Sequence, residues 1–392
     1  MFSKRNWNLF LKKSLDTLIK NGGGVMQVND ICDIIIQNLT REWKKRMNKQ
    51  SLIEKWEIPK YSKKEIKNAG KAIATPSISN EERDIALEIL NNWRSAHAYP
   101  LQVIASNLRL RNPTAIVVQR LKRLESITGK LERYSTMDLY RMQDLGGCRV
   151  IVDSLDEVYA AILNYKNSRI RHILKREYDY IQEPKDSGYR SYHMVYQFHS
   201  DKKETYNKNM LIEIQFRTKL QHTWATAVEM MGIYTKSQLK ASIGDEDVLR
   251  FFVLVSSVFA KMEGTPIAPN TIDDFNTLIS EIREIDKKLY IVSRLSALSV
   301  AINHVNENTK IKKNGYYVLQ LNYKKKLLKI NSFLKSQVEL ATNVYNKIEE
   351  TNNPNLDVVL VSATSFETLK AAYPNYFTDI SGFVDMMRRI LA

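Results

Sequence analysis

Two acidic residues draw attention by their setting. Asp144 lies just before a glycine pair and the buried apolar run Cys148 to Val152, while Glu213 falls in Leu211 to Arg217, where polar and apolar residues alternate. Side chains of a strand alternate between faces, so Ile212, Ile214 and Phe216 share one face and Glu213, Gln215 and Arg217 the other. If the two strands are neighbours, the carboxylates meet at one divalent cation. Magnesium (Mg2+) suits such a pair, because it binds hard oxygens and leaves most of its octahedron to water and substrate phosphates. Taken singly, each acid is an ordinary surface residue.

A set of cations precedes them. Between Arg120 and Arg133 helical spacing puts Lys122, Ser126 and Lys130 on one face and Leu121, Leu124, Thr128 and Leu131 on another. Two ammonium groups and a hydroxyl make a triphosphate clamp, since charge-assisted bonds to phosphate oxygens are strong. The plainer reading is a solvated basic helix face. A third group is Pro184 to His193, in which Gly188 permits a tight turn. Tyr189 then offers a ring for base stacking, worth roughly 1–3 kcal/mol per base, with Lys185 and His193 nearby for phosphate or proton work. As structure alone, Tyr189 is a half-buried aromatic and His193 a strand histidine. The stretch Asn91 to Leu101, rich in aromatic, cationic and imidazole groups, is expected to be a helix end packed on the core rather than a substrate contact.

The elements that must carry these residues fall into three parts. Residues 1–112 read as helical and basic, with helical apolar spacing in Trp7 to Ile19 and Ile85 to Trp93. Residues 113–269 alternate short apolar runs with helices, predicting an α/β domain of the α+β mixed-sheet kind; Ser191 to Phe198 is a further strand and Val248 to Phe259 a core helix. Residues 270–392 read as an α/β accessory or regulatory unit: helix from Ile272 to about Val305, a hairpin from Tyr316 to Asn331, a helix near Leu334 to Glu350, a strand at Val358 to Val361 and closing helices. Neither Gly22-Gly23-Gly24 nor Gly70-Lys71 has the spacing of a phosphate-cradling P-loop.

Composition sets the outer bounds. The chain of 392 residues is 44% hydrophobic, enough for a substantial core and two or three units. A net charge of +16, from 59 Lys and Arg against 43 Asp and Glu, favours phosphate-rich partners without naming one. The two cysteines, Cys32 and Cys148, cannot build a disulfide framework or a thiol zinc site, which suits a reducing cytoplasm. No apolar run reaches the roughly 18 residues of a membrane span, so a soluble cytoplasmic protein is expected.

Taken in order, these segments resemble the RelA/SpoT synthetase domain. They are Arg120-x-Lys122 with Ser126 and Lys130; Met142-Gln143-Asp144-Leu145-Gly146-Gly147-Cys148-Arg149; Pro184-Lys185 with Gly188-Tyr189-Arg190-Ser191-Tyr192-His193; and Glu213-Ile214-Gln215-Phe216-Arg217-Thr218. The resemblance spans about 113–235. It implies a nucleotidyltransferase-like fold and transfer of the β,γ-pyrophosphate of ATP to the 3′ hydroxyl of GDP or GTP. It assigns Asp144 and Glu213 to Mg2+, Arg120 and Arg149 to the adenine, and Lys122, Ser126 and Lys130 to the ATP phosphates. Lys185 would stand close to the transferring group, with Tyr189, His193, Gln215 and Arg217 at the acceptor.

His222-Thr223-Trp224-Ala225 resembles the helix that closes the family's site, which would put His222 on the acceptor side, but Glu229-Met230-Met231-Gly232 departs from the long enzymes and leaves acceptor choice open. None of the six histidines is followed by Asp, so the family's hydrolase activity is not expected. The small stand-alone synthetases are the nearer comparison. Alternative acceptors are the 3′ end of tRNA, as in toxic relatives, with Arg41 to Lys49 and Lys60 to Lys71 tracking its backbone, or adenosine nucleotides. A non-catalytic binding module is the third reading. The last unit is expected to mediate oligomers or receive a protein trigger.

Overall fold

A computed structural model describes residues 56–392, with breaks at 76, 135, 236–238, 240–243, 302–303, 306–314, 323–326, 350, 352, 354–355, 364 and 374–379. The expectations for Trp7 to Ile19, Gly22-Gly23-Gly24, Cys32 and Arg41 to Lys49 lie outside the described residues. Three helices come first: α1 (Lys63–Ala74), α2 (Asn80–Ala96) and α3 (Ala98–Arg111). Ser62 with Glu65 and Ser79 with Glu82 form capping boxes that start α1 and α2, satisfying amides the first turn leaves open. Then follow β1 (Ile116–Leu121), α4 (Leu124–Arg133), β2 (Gly146–Val152), α5 (Leu155–Lys166), β3 (Ile173–Asp179), β4 (Tyr192–Gln197), β5 (Leu211–Thr218), α6 (Lys219–Thr235) and α7 (Glu246–Glu263). The remainder forms α8 (Phe275–Leu289), α9 (Ile291–Ala301), β6 (His304–Val305), β7 (Gly315–Asn322), β8 (Leu327–Leu334), α10 (Val338–Glu349), β9 (Leu356–Ala363), α11 (Phe366–Ala372) and α12 (Ser381–Leu391).

The described strands make one mixed sheet in the order β3-β4-β5-β2-β1-β9-β7-β8-β6. Alternation decides how it is covered. Val117, Leu121, Cys148, Val150, Ile212, Ile214 and Phe216 face a core closed by Ile66, Leu90, Trp93, Leu101 and Ile104 of α1 to α3. Trp93, Arg94 and His97 are each 1% exposed, so the Asn91 to Leu101 stretch is indeed a packed helix end. A second core joins α6 and α7 to α8, α9 and α12 through Trp224, Phe251, Phe252, Ile282, Leu295 and Phe383.

Residues 270–392, expected as an accessory unit, share the central sheet and the second core with the residues before them. β9 pairs with β1, placing Gln119 opposite Ser362 and Arg120 opposite Val361, so the hairpin β7–β8 and β9 extend the central sheet, while α8, α9 and α12 complete the second core. The helix expected from Ile272 to Val305 is two helices, broken where Tyr290 adopts φ 53°.

Candidate active site

Register collects the chemistry-bearing side chains on one sheet face. β2 runs parallel to β5 and antiparallel to β1, and β4 antiparallel to β5. Arg120, Gly147 and Glu213 therefore form one row across three strands, and Val118, Arg149, Gln215 and His193 the next across four. Arg217 follows opposite Ile151. Gly147 keeps the first row open, because a Cβ there would meet nothing nearer than the Glu213 carbonyl oxygen at 4.0 Å.

Asp144, at the approach to β2, is gripped by two ammonium groups. Lys122 Nζ lies 2.8 Å from its Oδ2 and Lys130 Nζ 3.1 Å from its Oδ1. Burial alone would raise the Asp144 carboxyl; Lys122 and Lys130 override it and hold the group at about 2. It is an anion at any physiological pH. The helical row expected of Lys122, Ser126 and Lys130 is corrected here. Lys122 follows β1 and precedes α4, which starts at Leu124, so it shares no helix face with Ser126 and Lys130. Hydrogen bonding to the strand ahead of a turn, Lys122 N–H to Leu145 O at 2.8 Å, replaces the helical bond. The two lysines still converge, through Asp144 rather than through periodicity. Arg149 points from the same face; burial lowers its guanidinium to about 10, and Arg217 and Arg120 push the same way. Such mutual repulsion is relieved by an anionic or electron-rich ligand.

The second group is a hydrogen-bonded chain. The Tyr189 hydroxyl lies 2.9 Å from His193 Nε2, and His193 Nδ1 lies 3.1 Å from Glu213 Oε1. Gln215 Nε2 donates to Glu213 Oε2 at 2.7 Å, while Arg217 donates to the Tyr189 hydroxyl and to Gln215 Oε1 at 2.9 Å. With a neutral imidazole, the phenol donates to Nε2 and Nδ1–H donates to the carboxylate. Burial would raise the Tyr189 phenol, but Arg217 and His193 draw it down to about 7. Burial lowers His193, yet Tyr189 and Glu213 outweigh it and leave the imidazole above its ordinary value. Burial raises Glu213 and so does Asp144, against which His193 and Gln215 keep the carboxyl below its usual range. The two acids thus lie within each other's field.

Lys185 sits above aromatic rings, 4.2 Å from the Tyr180 centroid and 5.5 Å from that of Tyr189. His222, expected on the acceptor side, is 6% exposed in α6, and its Nε2 lies 3.1 Å from the carbonyl oxygen of Ala371 in α11, a segment 149 residues later. Three sets of contacts carry no periodic signal in the sequence. Arg190, 3% exposed, fastens the Tyr189 loop by bonds to Ser256 Oγ at 3.0 Å, Ile181 O at 3.2 Å and Pro266 O at 2.5 Å. Tyr178 and Tyr180 stack with centroids 5.5 Å apart and 3° between planes. The Arg94, Glu349 and Asp357 contacts described below are the third. Only the Gly188-Tyr189-Arg190-Ser191 motif hinted at the first.

Residues 119–239 match the family model described as "Region found in RelA / SpoT proteins". GTP pyrophosphokinase YjbM of Bacillus subtilis is 34% identical over 119 residues, covering 29% of this chain and 54% of the relative. GTP pyrophosphokinase YwaC of the same organism is 29% identical over 142 residues, covering 34% and 66%. The chain thus spans about half the length of YjbM and two thirds of that of YwaC. Small alarmone synthetase 1 from Bacillus subtilis, solved with its product pppGpp, is 23% identical over 42% of this chain and 90% of that one, with a TM-score of 0.35, too low to argue from. Arg120, Gly147, Arg149, His193, Glu213 and Gln215, which form the strand rows of the site, all fall inside the matched segment.

Proposed function

We propose that the chain is a pyrophosphotransferase that moves the β,γ-pyrophosphate of ATP to the ribose 3′ hydroxyl of GDP or GTP. The observation that carries this reading is a set of two half-buried carboxylates, Asp144 just ahead of β2 held as an anion by Lys122 and Lys130, and Glu213 on β5 held as one by His193 and Gln215. The names of YjbM and YwaC point the same way. In this reaction the 3′ oxygen forms a bond to the β-phosphorus, the α–β bridge breaks with its electron pair on the departing AMP, and the hydroxyl proton leaves.

Charge spreads over phosphoryl oxygens as this happens, so positioning and electrostatic stabilisation do the work. Lys122, Lys130 and Ser126 take the donor phosphates, the lysines exchanging part of their hold on Asp144 for phosphate oxygens. Arg120 and Arg149 flank the adenine across the opening above Gly147. Tyr189 stacks the acceptor base, Lys185 meets phosphate beside it, and Gln215 and Arg217 fix the orientation of Tyr189 and Glu213. His193, bonded to both Tyr189 and Glu213, can pass the hydroxyl proton along a preformed chain. Two anionic carboxylates in each other's field fit a magnesium ion, whose remaining ligands would be water and phosphate. Mg2+ held by Asp144 and Glu213 would supply charge neutralisation at the transferring oxygens.

A second acceptor, the 3′ end of an RNA, has one observation in its favour. Tyr178 and Tyr180 stack on each other, Tyr180 meets the Tyr189 ring edge-on, and the exposed Arg176 bonds the Tyr178 hydroxyl at 3.2 Å, an arrangement suited to a further base and a phosphate. Among the described residues no helix is long and apolar enough to cross a membrane. Incubation with γ-labelled ATP and, in turn, GDP, GTP, ATP or tRNA, followed by thin-layer and gel separation, tests both. Label on guanosine nucleotides supports the first reading and label on tRNA the second. No transfer to any of them overturns both.

A further inference from the structure

The turn joining β1 to α4 is two residues long, and both of its residues, with the first residue of α4, are tied to something outside it. Lys122 offers its carbonyl to Arg94 Nη1 at 3.5 Å. The guanidinium of Arg123 pairs with Asp357, the second residue of β9. The backbone N–H of Leu124, first residue of α4, donates to Glu349 Oε1 at 2.6 Å. Arg94 is in turn 1% exposed, and its partners lie on α10: Glu349 Oε2 at 2.5 Å, Asn346 Oδ1 at 2.6 Å and the Tyr345 hydroxyl at 3.2 Å, with the guanidinium 4.9 Å over the Tyr345 ring. All three ties therefore lead to one stretch, Tyr345 to Asp357, more than 220 residues after the turn they hold.

Glu349 is oddly placed for a helix residue. It ends α10, where a carboxylate faces the negative pole of its own helix, and it reaches the start of α4, where the same charge is favoured. α4 has no side-chain cap of its own, because its N-cap residue is Arg123. Glu349 thus supplies from a distance the acceptor that Ser, Thr or Asp supplies locally in α1, α2 and α7. A local cap would end and start a helix as well. What the distant one adds is a fixed orientation of α4 relative to β9 and α10.

That orientation governs the lysines around Asp144. Lys122 opens the tied turn and Lys130 lies nearly two turns into α4, and both must reach one carboxylate. A rotation of α4 by a fraction of a turn separates them. We propose that Glu349 and Asp357 are positioning residues for the phosphate clamp, holding α4 through the Leu124 amide and Arg123 so that Lys122, Ser126 and Lys130 converge on one polyphosphate. This rests on the reading of Lys122, Ser126 and Lys130 as donor ligands. Neither carboxylate touches substrate in this account; each acts through the turn.

The test compares full-length wild type with Glu349→Gln and Asp357→Asn. Steady-state kinetics give KM for ATP and for the acceptor, calorimetry gives Kd for a non-hydrolysable ATP analogue, and circular dichroism with thermal melting reports folding. Loss of one charge-assisted bond at the turn is expected to raise both the ATP KM and the analogue Kd about tenfold for Glu349→Gln, and less for the more peripheral Asp357→Asn. Acceptor KM and kcat at saturating ATP stay near wild type, since the clamp is displaced and not removed. The double variant falls short of additivity, because both act on one turn. A folded Glu349→Gln with unchanged ATP KM and analogue Kd overturns the proposal, as does an equal rise in the KM of both substrates. If Glu349→Gln does not fold, Asp357→Asn, which leaves the Arg94 cluster whole, gives the same readings. A wild type that binds the analogue but transfers nothing refutes the reaction and leaves the comparison of Kd values to judge the clamp.

Discussion

Tyr189, His193, Glu213, Gln215 and Arg217 hold one another, by bonds between a loop and two adjacent strands, whereas Lys122, Ser126 and Lys130 depend on a turn held by residues more than 220 positions away. The first group is a closed circuit with its charges already matched. The second is two ammonium groups around one acid, arranged for a ligand that brings further negative charge. The proposed acceptor side is thus preorganised by the sheet itself, and the proposed donor side by the C-terminal region. Preorganisation of the first kind survives disturbance elsewhere in the chain; that of the second does not.

The carboxylates give the sharpest way to break this contrast. Asp144→Asn and Glu213→Gln should each reduce transfer by about 1,000-fold or more, as removal of a charge aimed at the reacting phosphates requires. They should differ in stability. Asp144→Asn leaves two partly buried ammonium groups without their counter-charge and should cost about 1–3 kcal/mol in denaturant melts. Glu213→Gln keeps an acceptor for His193 and should cost less. Equal stability loss in the two variants would erase the distinction between a closed circuit and a waiting clamp.

Gly188 sharpens it from the other side. Its φ of +79° is strained for any L side chain, and an added Cβ would lie 2.9 Å from Ser256 Cβ and 3.2 Å from Val253 Cα, on a helix backbone that cannot yield. Gly188→Ala should therefore shift the Tyr189 loop by a penalty of about 1–2 kcal/mol or more and raise acceptor KM about tenfold. ATP analogue binding, measured by calorimetry, should be unaffected. This is the mirror image of the behaviour expected of Glu349→Gln.

The same contrast explains what the sequence could disclose. Period-two alternation showed Glu213, Gln215 and Arg217 on one strand face, because that pattern is local and a buried opposite face enforces it. The core helix at Val248 to Phe259 was legible because it is apolar almost all round, and the hairpin after Tyr316 because its two runs are short and close in sequence. Lys122 misled, since its spacing from Ser126 and Lys130 is helical although the chain is turning there; only Leu145, brought alongside by strand pairing, reveals the break. The pairing of Arg94 with Glu349 and of Arg123 with Asp357 carried no signal, although Arg94 itself lies in a stretch expected to pack on the core. The partners are separated by 225 to 255 residues, a range at which single-sequence periodicity is silent. The contact of His222 with Ala371 was silent likewise, its partner lying in a region that looked separate.

Tyr189→Phe separates stacking from proton handling within the acceptor circuit. The ring is kept, so acceptor KM should change little, and the rate should fall only several-fold. The pH profile should change shape. With the phenol drawn to about 7 and His193 above its ordinary value, the pair gives up one proton as pH rises through neutrality. Wild-type kcat/KM for the acceptor should therefore climb through about 7 and level off. Without Tyr189, burial and Arg217 act on His193 against Glu213 alone, so the limb should move to lower pH. A profile identical to wild type would remove the phenol from the proton path.

The smallest effect on transfer should come from His97, which lies under the donor side of the sheet. It is 1% exposed, its Nδ1 donates to the Trp93 carbonyl at 2.7 Å, and its Cβ would be 3.6 Å from a side chain at Gly146. Burial lowers its imidazole to about 4, the Trp93 carbonyl recovering only part. The unfolded chain binds that proton from about 6.5 downward and the folded chain only near 4, so stability is full above 6.5 and drains away as pH falls between the two. The loss approaches about 3 kcal/mol. His172, just ahead of β3 on the acceptor side, is lowered to about 4 as well and adds to the same slope. His97→Asn should leave transfer at neutral pH near wild type and flatten the fall in denaturant stability from pH 6.5 to 4 without abolishing it. Since the circuit around Glu213 holds itself together and the clamp relies on packing, acid should raise the ATP analogue Kd before it raises acceptor KM, and this order should be blunted in His97→Asn. An acid slope unchanged by the substitution would mean that His97 accepts its proton within the folded protein.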